Sequence, residues 1–168
     1  KIIESTICYT GDLSNPNNSK YDLKYYVDLA KKMEAKGAHI LGLKDMAGLI
    51  KPKAASILIR ALKEEVGIPI HLHTHDTSGN GISMYMAAID AGVDALDVAL
   101  SSMSRLTSQP SLNSLQSILS GHERDPVLNI ENHQKLADEW EKIRKFYRPF
   151  ESGLLSSTAD VYRHEIPG

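Results

Sequence analysis

Residues 68–76 read Ile-Pro-Ile-His-Leu-His-Thr-His-Asp and run into a glycine-rich turn, Thr-Ser-Gly-Asn-Gly, at 77–81. Histidines alternate with apolar or β-branched residues, a pattern typical of a β-strand. A helix is predicted beyond the turn, at about 82–91, and Gly92 suits its end. This stretch therefore predicts a strand, a turn and a helix in succession.

The same unit recurs on both sides of this stretch. Further strands are predicted at 1–9, 38–45 and 93–100, and the last three of the four strands each begin directly after a glycine. These three strands start 30 and 25 residues apart, which is the period of βα units in a parallel sheet. The glycines are Gly37, Gly67 and Gly92.

Amphipathic helices are predicted between the strands. Ser19 and Asp22 form a weakened capping box for the first helix. Pro52 suits the first turn of the second helix, where its missing N–H costs nothing, and Gly67 stands where a left-handed cap would end it. The expected buried faces are Leu23, Tyr26, Val27, Ala30 and Met33 on the first helix and Ala55, Leu58, Ile59, Leu62 and Val66 on the second.

This alternation indicates an α/β fold with a parallel sheet, which is either doubly wound or closed into a barrel. A dinucleotide-binding doubly wound fold carries Gly-x-Gly-x-x-Gly in its first βα turn, whereas this chain has only Gly79-Asn80-Gly81. A (β/α)8 barrel is therefore favoured. A complete barrel needs about 250 residues, and about four of its units fit into residues 1–108.

Residues 109–168 carry a different pattern. Helices are predicted at 110–119 and 129–147, and residues 148–168 are expected to be extended or irregular because they show no clear period. The chain is thus divided into barrel units at 1–108 and a helical extension at 109–168. One side of the longer helix carries Leu136, Trp140, Ile143 and Tyr147.

Composition excludes several classes of protein. Of the 168 residues, 42% are apolar and 24% are charged, which is ordinary for a globular protein, and no apolar run reaches the roughly 20 residues of a membrane-spanning helix. A formal charge of −2 leaves no basic surplus for binding nucleic acid. The single cysteine, Cys8, allows no internal disulfide and no cysteine-rich zinc site, which fits a reducing compartment. Because the first residue is Lys1 rather than methionine, a processed start or a cut through a longer protein is expected.

Three histidines stand at the carboxyl end of the third predicted strand, where enzymes built from βα units place reactive residues. Side chains alternate across a strand, so His71, His73 and His75 are expected on one face. A His-x-His pair suits zinc, manganese, iron, nickel or copper, and does not suit calcium or magnesium. His71 lies deepest in the strand and is expected to be structural. The other histidines, expected to be structural or solvent-facing, are His39, His122, His133 and His164.

Lys44 stands at the end of the second predicted strand, in an apolar run. It would point towards the barrel interior with Ile40 and Gly42, where an ammonium is costly unless it is paired or neutralised. An ion pair with Asp45 or Asp76 is one explanation. The other is a carbamate, formed with carbon dioxide, which would place an oxygen ligand beside the two imidazoles.

Aspartates and hydroxyl groups near strand ends are further candidates. Any of the aspartates could bind metal or substrate, and each could equally hydrogen-bond a loop or cap a helix. The hydroxyl groups could form a polar rim for a ligand, but no Gly-x-Ser-x-Gly elbow accompanies them, so a serine nucleophile is not expected. The residues are Asp12, Asp45, Asp76 and Asp97, and Ser101, Ser102, Ser104, Thr107 and Ser108.

Four motifs make the sequence similar to a known family. They are Lys-Asp-Met-Ala-Gly at 44–48, His-Leu-His-Thr-His-Asp-Thr-Ser-Gly at 71–79, Ser-Met-Ser at 102–104 and Thr-Ser-Gln-Pro at 107–110. The chain resembles the carboxyltransferase domain of pyruvate carboxylases over essentially its whole length. The resemblance implies a (β/α)8 TIM barrel, of which this chain would hold the second half and the start of the following helical segment. Arg105 departs from the family, many members of which carry a small residue there.

The resemblance also implies a divalent metal, zinc or manganese. Its ligands would be Lys44 as a carbamate, His73 and His75, together with an aspartate of the first barrel strand that has no counterpart here. The family's proton-relay threonine lies beyond Gly168, and the arginine and glutamine that hold pyruvate come from early barrel strands. No complete catalytic set and no defined substrate-binding residue are therefore expected in this chain.

The family's reaction transfers a carboxyl group from carboxybiotin to pyruvate and gives oxaloacetate. The implied parent is a ligase of gluconeogenesis and anaplerosis that uses ATP and bicarbonate, a homotetramer in the cytoplasm or the mitochondrial matrix. Its biotin carboxylase and biotin carrier domains would be the partners of this chain. The chain itself has no Ala-Met-Lys-Met biotin site and no phosphate-binding loop, so biotin and ATP are expected in those other domains.

Two alternatives remain open. One is the carboxyltransferase subunit of an oxaloacetate decarboxylase or a transcarboxylase, which shares the general plan. The other is a non-catalytic assembly module, in which a second copy of the chain would cover open sheet edges.

Overall fold

The computed structural model describes residues 1–17, 20–153 and 155–164. The strands are β1 Glu4–Cys8, β2 Ile40–Asp45, β3 Ile70–Thr74 and β4 Ala95–Leu96. The helices are α1 Leu23–Ala35, α2 Pro52–Glu65, α3 Gly81–Asp90, α4 Leu112–Ile118, α5 Ile130–Tyr147 and α6 Asp160–His164. Strands and helices alternate from β1 to β4, as the sequence predicts.

The four strands form one parallel sheet in the order β1, β2, β3, β4. Each successive βα unit therefore adds its strand to the same edge of the sheet. This progression is the one found in a (β/α)8 barrel, whereas a doubly wound sheet reverses at a switch point. The predicted α/β class with barrel-type units is confirmed, and the sheet corresponds to four of the eight strands of a complete barrel.

The two faces of the sheet differ in polarity because side chains alternate along each strand. One face is buried in the hydrophobic core beneath the helices and carries Leu41, Leu43, Ile70 and Leu72. The opposite face borders a cavity and carries Gly42, Lys44, His71 and His73. The second face is the one that would line the interior of a closed barrel.

Local signals explain how the first two helices start. The side chain of Asp22 caps α1 by accepting the N–H of Tyr25 at 2.8 Å, while Ser19, the other predicted member of the capping box, lies outside the described residues. Pro52 occupies the first position of α2, as predicted. The predicted apolar face is buried on α2 at Ala55, Leu58, Ile59, Leu62 and Val66, and on α1 Tyr26 and Ala30 are buried while Leu23, Val27 and Met33 are partly buried.

The predicted left-handed cap at Gly67 is wrong. Val66, the residue after α2, has φ −126°, so the chain enters an extended segment directly. The N–H of Gly67 donates to Oε1 of Glu34 at 2.8 Å. Left-handed glycines do follow α1 and α3, where Gly37 has φ 93° and Gly92 has φ 101°.

The fourth strand is shorter than predicted, two residues instead of the range 93–100. Beyond Asp97, whose N–H still donates to the carbonyl of Leu72 on β3, the chain pairs with a later segment. The N–H of Ala99 donates to the carbonyl of Pro110 at 3.0 Å, and the N–H of Leu112 donates to the carbonyl of Ala99 at 2.8 Å. This exchange of partners ends β4 early.

The C-terminal part also differs from expectation. The range 148–168, predicted to be irregular, contains a 3₁₀ turn at Arg148–Phe150 and helix α6, of which Val161 is 4% exposed and joins the core. Residues 154 and 165–168 lie outside the described part of the chain. On α5 the predicted apolar side is half-exposed, because the helix buries Ala137 instead. Within the described ranges, no helix combines the length and the apolar character needed to span a membrane.

Candidate metal centre

His73 lies near the carboxyl end of β3, and His75 follows the last residue of that strand. Their Nε2 atoms are 3.3 Å apart. The two rings are steeply inclined, with an interplanar angle of 73°. The alternation of side chains along β3 thus brings both imidazoles to one point at the edge of the sheet where reactive residues are expected.

The other ring nitrogen of each histidine is already hydrogen-bonded. Nδ1 of His73 lies 2.7 Å from Oδ2 of Asp97. Nδ1 of His75 lies 2.7 Å from the carbonyl oxygen of Thr107, and since a carbonyl only accepts, that nitrogen carries the proton. Burial raises the pKa of Asp97, but hydrogen bonds with His73 and His71 outweigh it and hold the pKa below its ordinary value. Asp97 is therefore an ionised acceptor, and when both rings are neutral their Nε2 atoms present lone pairs to each other.

Two lone pairs at this distance repel each other unless a cation lies between them. In a tetrahedral zinc site with Zn–N bonds of about 2.0–2.1 Å, two nitrogen ligands lie about 3.3–3.4 Å apart, and the observed separation is 3.3 Å. A carboxylate and a backbone carbonyl are also the usual acceptors for the remote nitrogen of metal-binding histidines. The His73–His75 pair therefore fits a divalent transition metal.

Lys44 lies directly across from His73 in the parallel register of β2 and β3. In the part of the chain that the structure describes, neither Asp45 nor Asp76 forms an ion pair with it, so the ion-pair explanation is wrong. The lysine and the histidine border a cavity of about 190 Å³, together with Glu4, Thr6, Gly42, Leu43, His71 and Asp97. No three His, Cys, Asp or Glu side chains among the described residues could together hold a metal.

Three of the four candidate aspartates stabilise loops instead of facing the two rings. Burial raises the pKa of both Asp45 and Asp76, and it outweighs the hydrogen bonds that these carboxylates accept, which lower the pKa. Asp12 forms an ion pair with Lys51. The backbone N–H donors are those of Leu49 and Ile50 for Asp45, and that of Gly81 for Asp76.

The loop that supplies the carbonyl of Thr107 is closed by its own backbone. The N–H of Arg105 donates to the carbonyl of Gln109 at 2.8 Å, and the N–H of Ser108 donates to the carbonyl of Arg105 at 2.9 Å. Arg105 and Leu106 have φ values of 73° and 54°, in the left-handed region that favours glycine. Arg105 thus has a backbone conformation that glycine adopts more easily than a residue with a side chain.

A second, mostly apolar cavity of about 380 Å³ opens beside His75. Helix α6 and the loop after β2 form its walls. It offers space for a small organic molecule next to the pair of imidazoles. The other lining residues are Met46, Ala47, Thr77, Thr107, Thr158, Asp160 and Val161.

Sequence reasoning missed the groups that orient the two histidines. Asp97 is considered above as a ligand or a loop residue, and Glu4 is not considered at all. The role of Asp97 could have been predicted if the register of β3 and β4 had been known. His71 pairs with Ala95 in this parallel register, so two residues further along both strands Asp97 lies level with His73. The contact of His75 with the carbonyl of Thr107 could not be predicted from the sequence, because every residue has a backbone carbonyl. Elsewhere, His39 accepts the N–H of Ile3, His122 bonds to Asp90, and His133 bonds to Gln116.

Comparisons with known proteins agree with this fold and with the motifs. A family model described as HMGL-like matches residues 5–138. Pyruvate carboxylase of Bacillus subtilis (strain 168) is 55% identical over 168 residues, which cover 100% of this chain and 15% of that protein. Pyruvate carboxylase of Staphylococcus aureus (strain Mu50 / ATCC 700699) is 56% identical over 169 residues, again 100% of this chain and 15% of that protein.

The solved structures give the same result for the backbone. The carboxyl transferase domain of Rhizobium etli pyruvate carboxylase, determined with pyruvate, matches with a TM-score of 0.96 and 51% identity, over 99% of this chain and 28% of that chain. This chain spans about 15% of the length of the curated relatives that it matches. It belongs to the HMGL-like family and is similar to a part of the carboxyltransferase domain of pyruvate carboxylases.

Proposed function

We propose that this chain supplies the metal-binding part of a carboxyltransferase domain, in which a carboxyl group passes from carboxybiotin to pyruvate and gives oxaloacetate. The observation that carries the proposal is the convergence of the Nε2 atoms of His73 and His75 across the sheet from Lys44. Identities of 55% and 56% to two pyruvate carboxylases favour pyruvate as the acceptor. The reaction would belong to a longer protein, since the chain covers 15% of each relative.

Lys44, His73 and His75 are the proposed metal ligands, and zinc or manganese is the proposed ion. The free amine of Lys44 would attack the carbon of carbon dioxide, forming an N–C bond and releasing one proton to solvent. The product is a carbamate with a negatively charged oxygen donor, which joins two imidazoles in a ligand set that suits these ions. When bound, the cation supplies Lewis-acid stabilisation of negative charge that develops on a keto-acid oxygen.

The other residues of the site position these ligands. Asp97 and Thr107 accept the Nδ1 protons of the two histidines, and so leave both Nε2 atoms free. Asp45 fixes the loop that follows Lys44 by accepting backbone N–H groups. The apolar cavity beside the imidazoles would limit the access of water to the reacting carboxyl group.

The remaining parts of the proposal concern the longer protein. They are the use of ATP, bicarbonate and biotin, the biotin carboxylase and biotin carrier domains as partners, a homotetramer, and a cytoplasmic or mitochondrial-matrix location. Their support is the similarity of this chain to pyruvate carboxylases.

A chimera tests the proposed reaction. The matching segment of the Bacillus subtilis pyruvate carboxylase is replaced by this chain, and oxaloacetate formation from pyruvate, ATP and bicarbonate is measured together with metal content. We expect an active chimera with bound metal, and loss of both metal and activity in Lys44→Ala and His73→Ala. His122→Ala is the matched control, because that histidine bonds to Asp90 away from the site.

Two results would contradict the proposal at different points. Unchanged metal content in the Lys44→Ala and His73→Ala chimeras would overturn the ligand assignment. A folded, metal-loaded chimera that forms no oxaloacetate would overturn the proposed reaction while leaving the metal site in place.

A further inference from the structure

A chain of hydrogen bonds runs along the polar face of the sheet from β1 to His73. Oε1 of Glu4 lies 3.0 Å from Nδ1 of His71, and Nε2 of His71 lies 2.9 Å from Oδ1 of Asp97. The other oxygen of Asp97, Oδ2, lies 2.7 Å from Nδ1 of His73. Two imidazoles therefore hold the two oxygens of one carboxylate.

The backbone of Asp97 is fixed independently of these contacts. Its N–H donates to the carbonyl of Leu72 at 3.2 Å, and its carbonyl accepts the hydroxyl of Tyr85 at 2.7 Å. The side chain, in contrast, is 43% exposed and is free to turn about its last torsion when only one oxygen is bonded. The second bond, from His71, is what fixes the carboxylate plane relative to His73.

We propose that His71 is a positioning residue of the candidate metal centre. Anchored by Glu4, it holds Asp97 in the orientation that accepts the Nδ1 proton of His73, and so keeps Nε2 of His73 free of a proton and available as a ligand. The effect of His71 on metal affinity depends on the proposed metal centre. The effect of His71 on which nitrogen of His73 carries the proton does not depend on it.

Two substitutions of His71 separate positioning from simple packing. His71→Leu removes both hydrogen bonds, while His71→Gln can keep a donor near the place of Nε2 and thus the bond to Asp97. The first measurement is a long-range ¹H–¹⁵N NMR correlation of the imidazoles in the metal-free 168-residue chain, which reports the nitrogen that carries the proton. The second is Zn²⁺ affinity, by competition with a chromophoric chelator.

We expect His73 to carry its proton on Nδ1 in the unchanged chain and in His71→Gln. His71→Leu should give a mixture of the Nδ1–H and Nε2–H forms, and Zn²⁺ should bind about tenfold more weakly, as is typical when an outer partner of a ligand is lost. His122→Leu is the matched control, since it removes a histidine–aspartate contact remote from the site, and it should change neither measurement.

The possible failures point to different conclusions. If His71→Leu leaves both the Nδ1 proton of His73 and the Zn²⁺ affinity unchanged, His71 only links strands and the inference is wrong. If the proton of His73 shifts in His71→Leu but the Zn²⁺ affinity does not change, the positioning role stands and its proposed effect on metal binding is wrong. Should His71→Leu fail to fold, Glu4→Ala removes the anchor from the other end, and it must shift the proton of His73 in the same direction for the inference to hold.

Discussion

The side chain of Asp45 is fully buried and directly follows the candidate ligand Lys44. Its oxygens accept the N–H groups of Leu49 and Ile50 at 2.8 and 2.9 Å, and the hydroxyl of Thr74 at 2.9 Å. A weaker contact of 3.4 Å comes from the N–H of Ala47. One carboxylate therefore fixes the loop between β2 and α2 and ties it to β3. This arrangement needs two acceptor oxygens, which an aspartate has and an asparagine lacks.

Asp45→Asn should lower the free energy of unfolding by about 2–3 kcal/mol, because the amide group places N–H donors against buried N–H donors and leaves them unpaired. Urea unfolding followed by far-UV circular dichroism at pH 7 checks this value. Asp28→Asn is the matched control, since Asp28 pairs with Lys24 at the protein surface and its substitution should change the free energy of unfolding far less. Equal losses in the two variants would show that the loop does not depend on the Asp45 carboxylate.

Single residues were predictable where their role follows from the spacing along one strand. The period of two in β3 places His73 and His75 together, and the position of Lys44 at the end of β2 places it on the same face. The role of Asp97 depends on the register between β3 and β4, which the sequence does not contain. The role of Thr107 depends on a backbone carbonyl in a loop with left-handed residues, which no side-chain pattern indicates.

Helices α2 and α5 show how one periodic pattern can have two structural outcomes. α2 buries five of its 14 side chains between the sheet and its neighbours, whereas α5 buries only Ala137 among its 18 residues. Periodicity predicts both helices to within about two residues at their ends. It does not distinguish an apolar side that is covered from one that stays half-exposed, as at Trp140 and Ile143 on α5. That difference depends on which elements pack nearby.

Amide hydrogen exchange should therefore be faster in α5 than in α2. Because local opening of α5 exposes little apolar surface, its free energy of opening should be lower by about 1.4 kcal/mol or more, which corresponds to at least tenfold lower protection. Exchange measured by NMR at several urea concentrations checks this for the 168-residue chain. The amides of α2 serve as the internal reference, and equal protection in the two helices would mean that α5 unfolds only together with the core.

At the scale of the molecule, the parallel order β1, β2, β3, β4 leaves β1 and β4 at the two edges of the sheet. The regular period of glycine, strand and helix predicts parallel strands, and the order follows from the barrel, which is favoured because the chain lacks a Gly-x-Gly-x-x-Gly run. The sequence also predicts a polar face, from Lys44 and the alternating histidines. The early end of β4 was not predictable, because it depends on pairing between Ala99 and Ser111, which lie 12 residues apart in the sequence.

Asp94 links separate parts of this architecture and makes the stability of the whole chain depend on pH. Its Oδ2 accepts the backbone N–H of Ile70 at 2.8 Å, and its oxygens lie 2.8 and 3.0 Å from Nζ of Lys63 on α2. Burial raises the pKa of Asp94, but these contacts outweigh it and hold the pKa below its ordinary value. The folded state thus favours the ionised carboxylate more than the unfolded state does.

The sign of the pH dependence follows from this lowered pKa. The contribution of Asp94 to stability is fully present above the ordinary aspartate pKa of about 3.9, and it is lost as the pH falls from there through the lowered pKa of the folded state. Asp94→Asn keeps an acceptor for the N–H of Ile70 but loses the ion pair. Because the side chain is about one-third exposed, screening limits the expected cost to about 1 kcal/mol at pH 7.

Urea unfolding of the unchanged chain and of Asp94→Asn at pH 7, 5, 4 and 3 tests this. The difference between the two free energies of unfolding should be constant from pH 7 to 5 and should shrink towards zero by pH 3, since the protonated carboxyl no longer attracts Lys63. Glu123→Gln is the control, because Glu123 is exposed and forms no ion pair among the residues that the structure describes. A difference that stays the same at pH 3 would mean that Asp94 acts through its neutral hydrogen bond alone, and a difference that grows as the pH falls would contradict the lowered pKa.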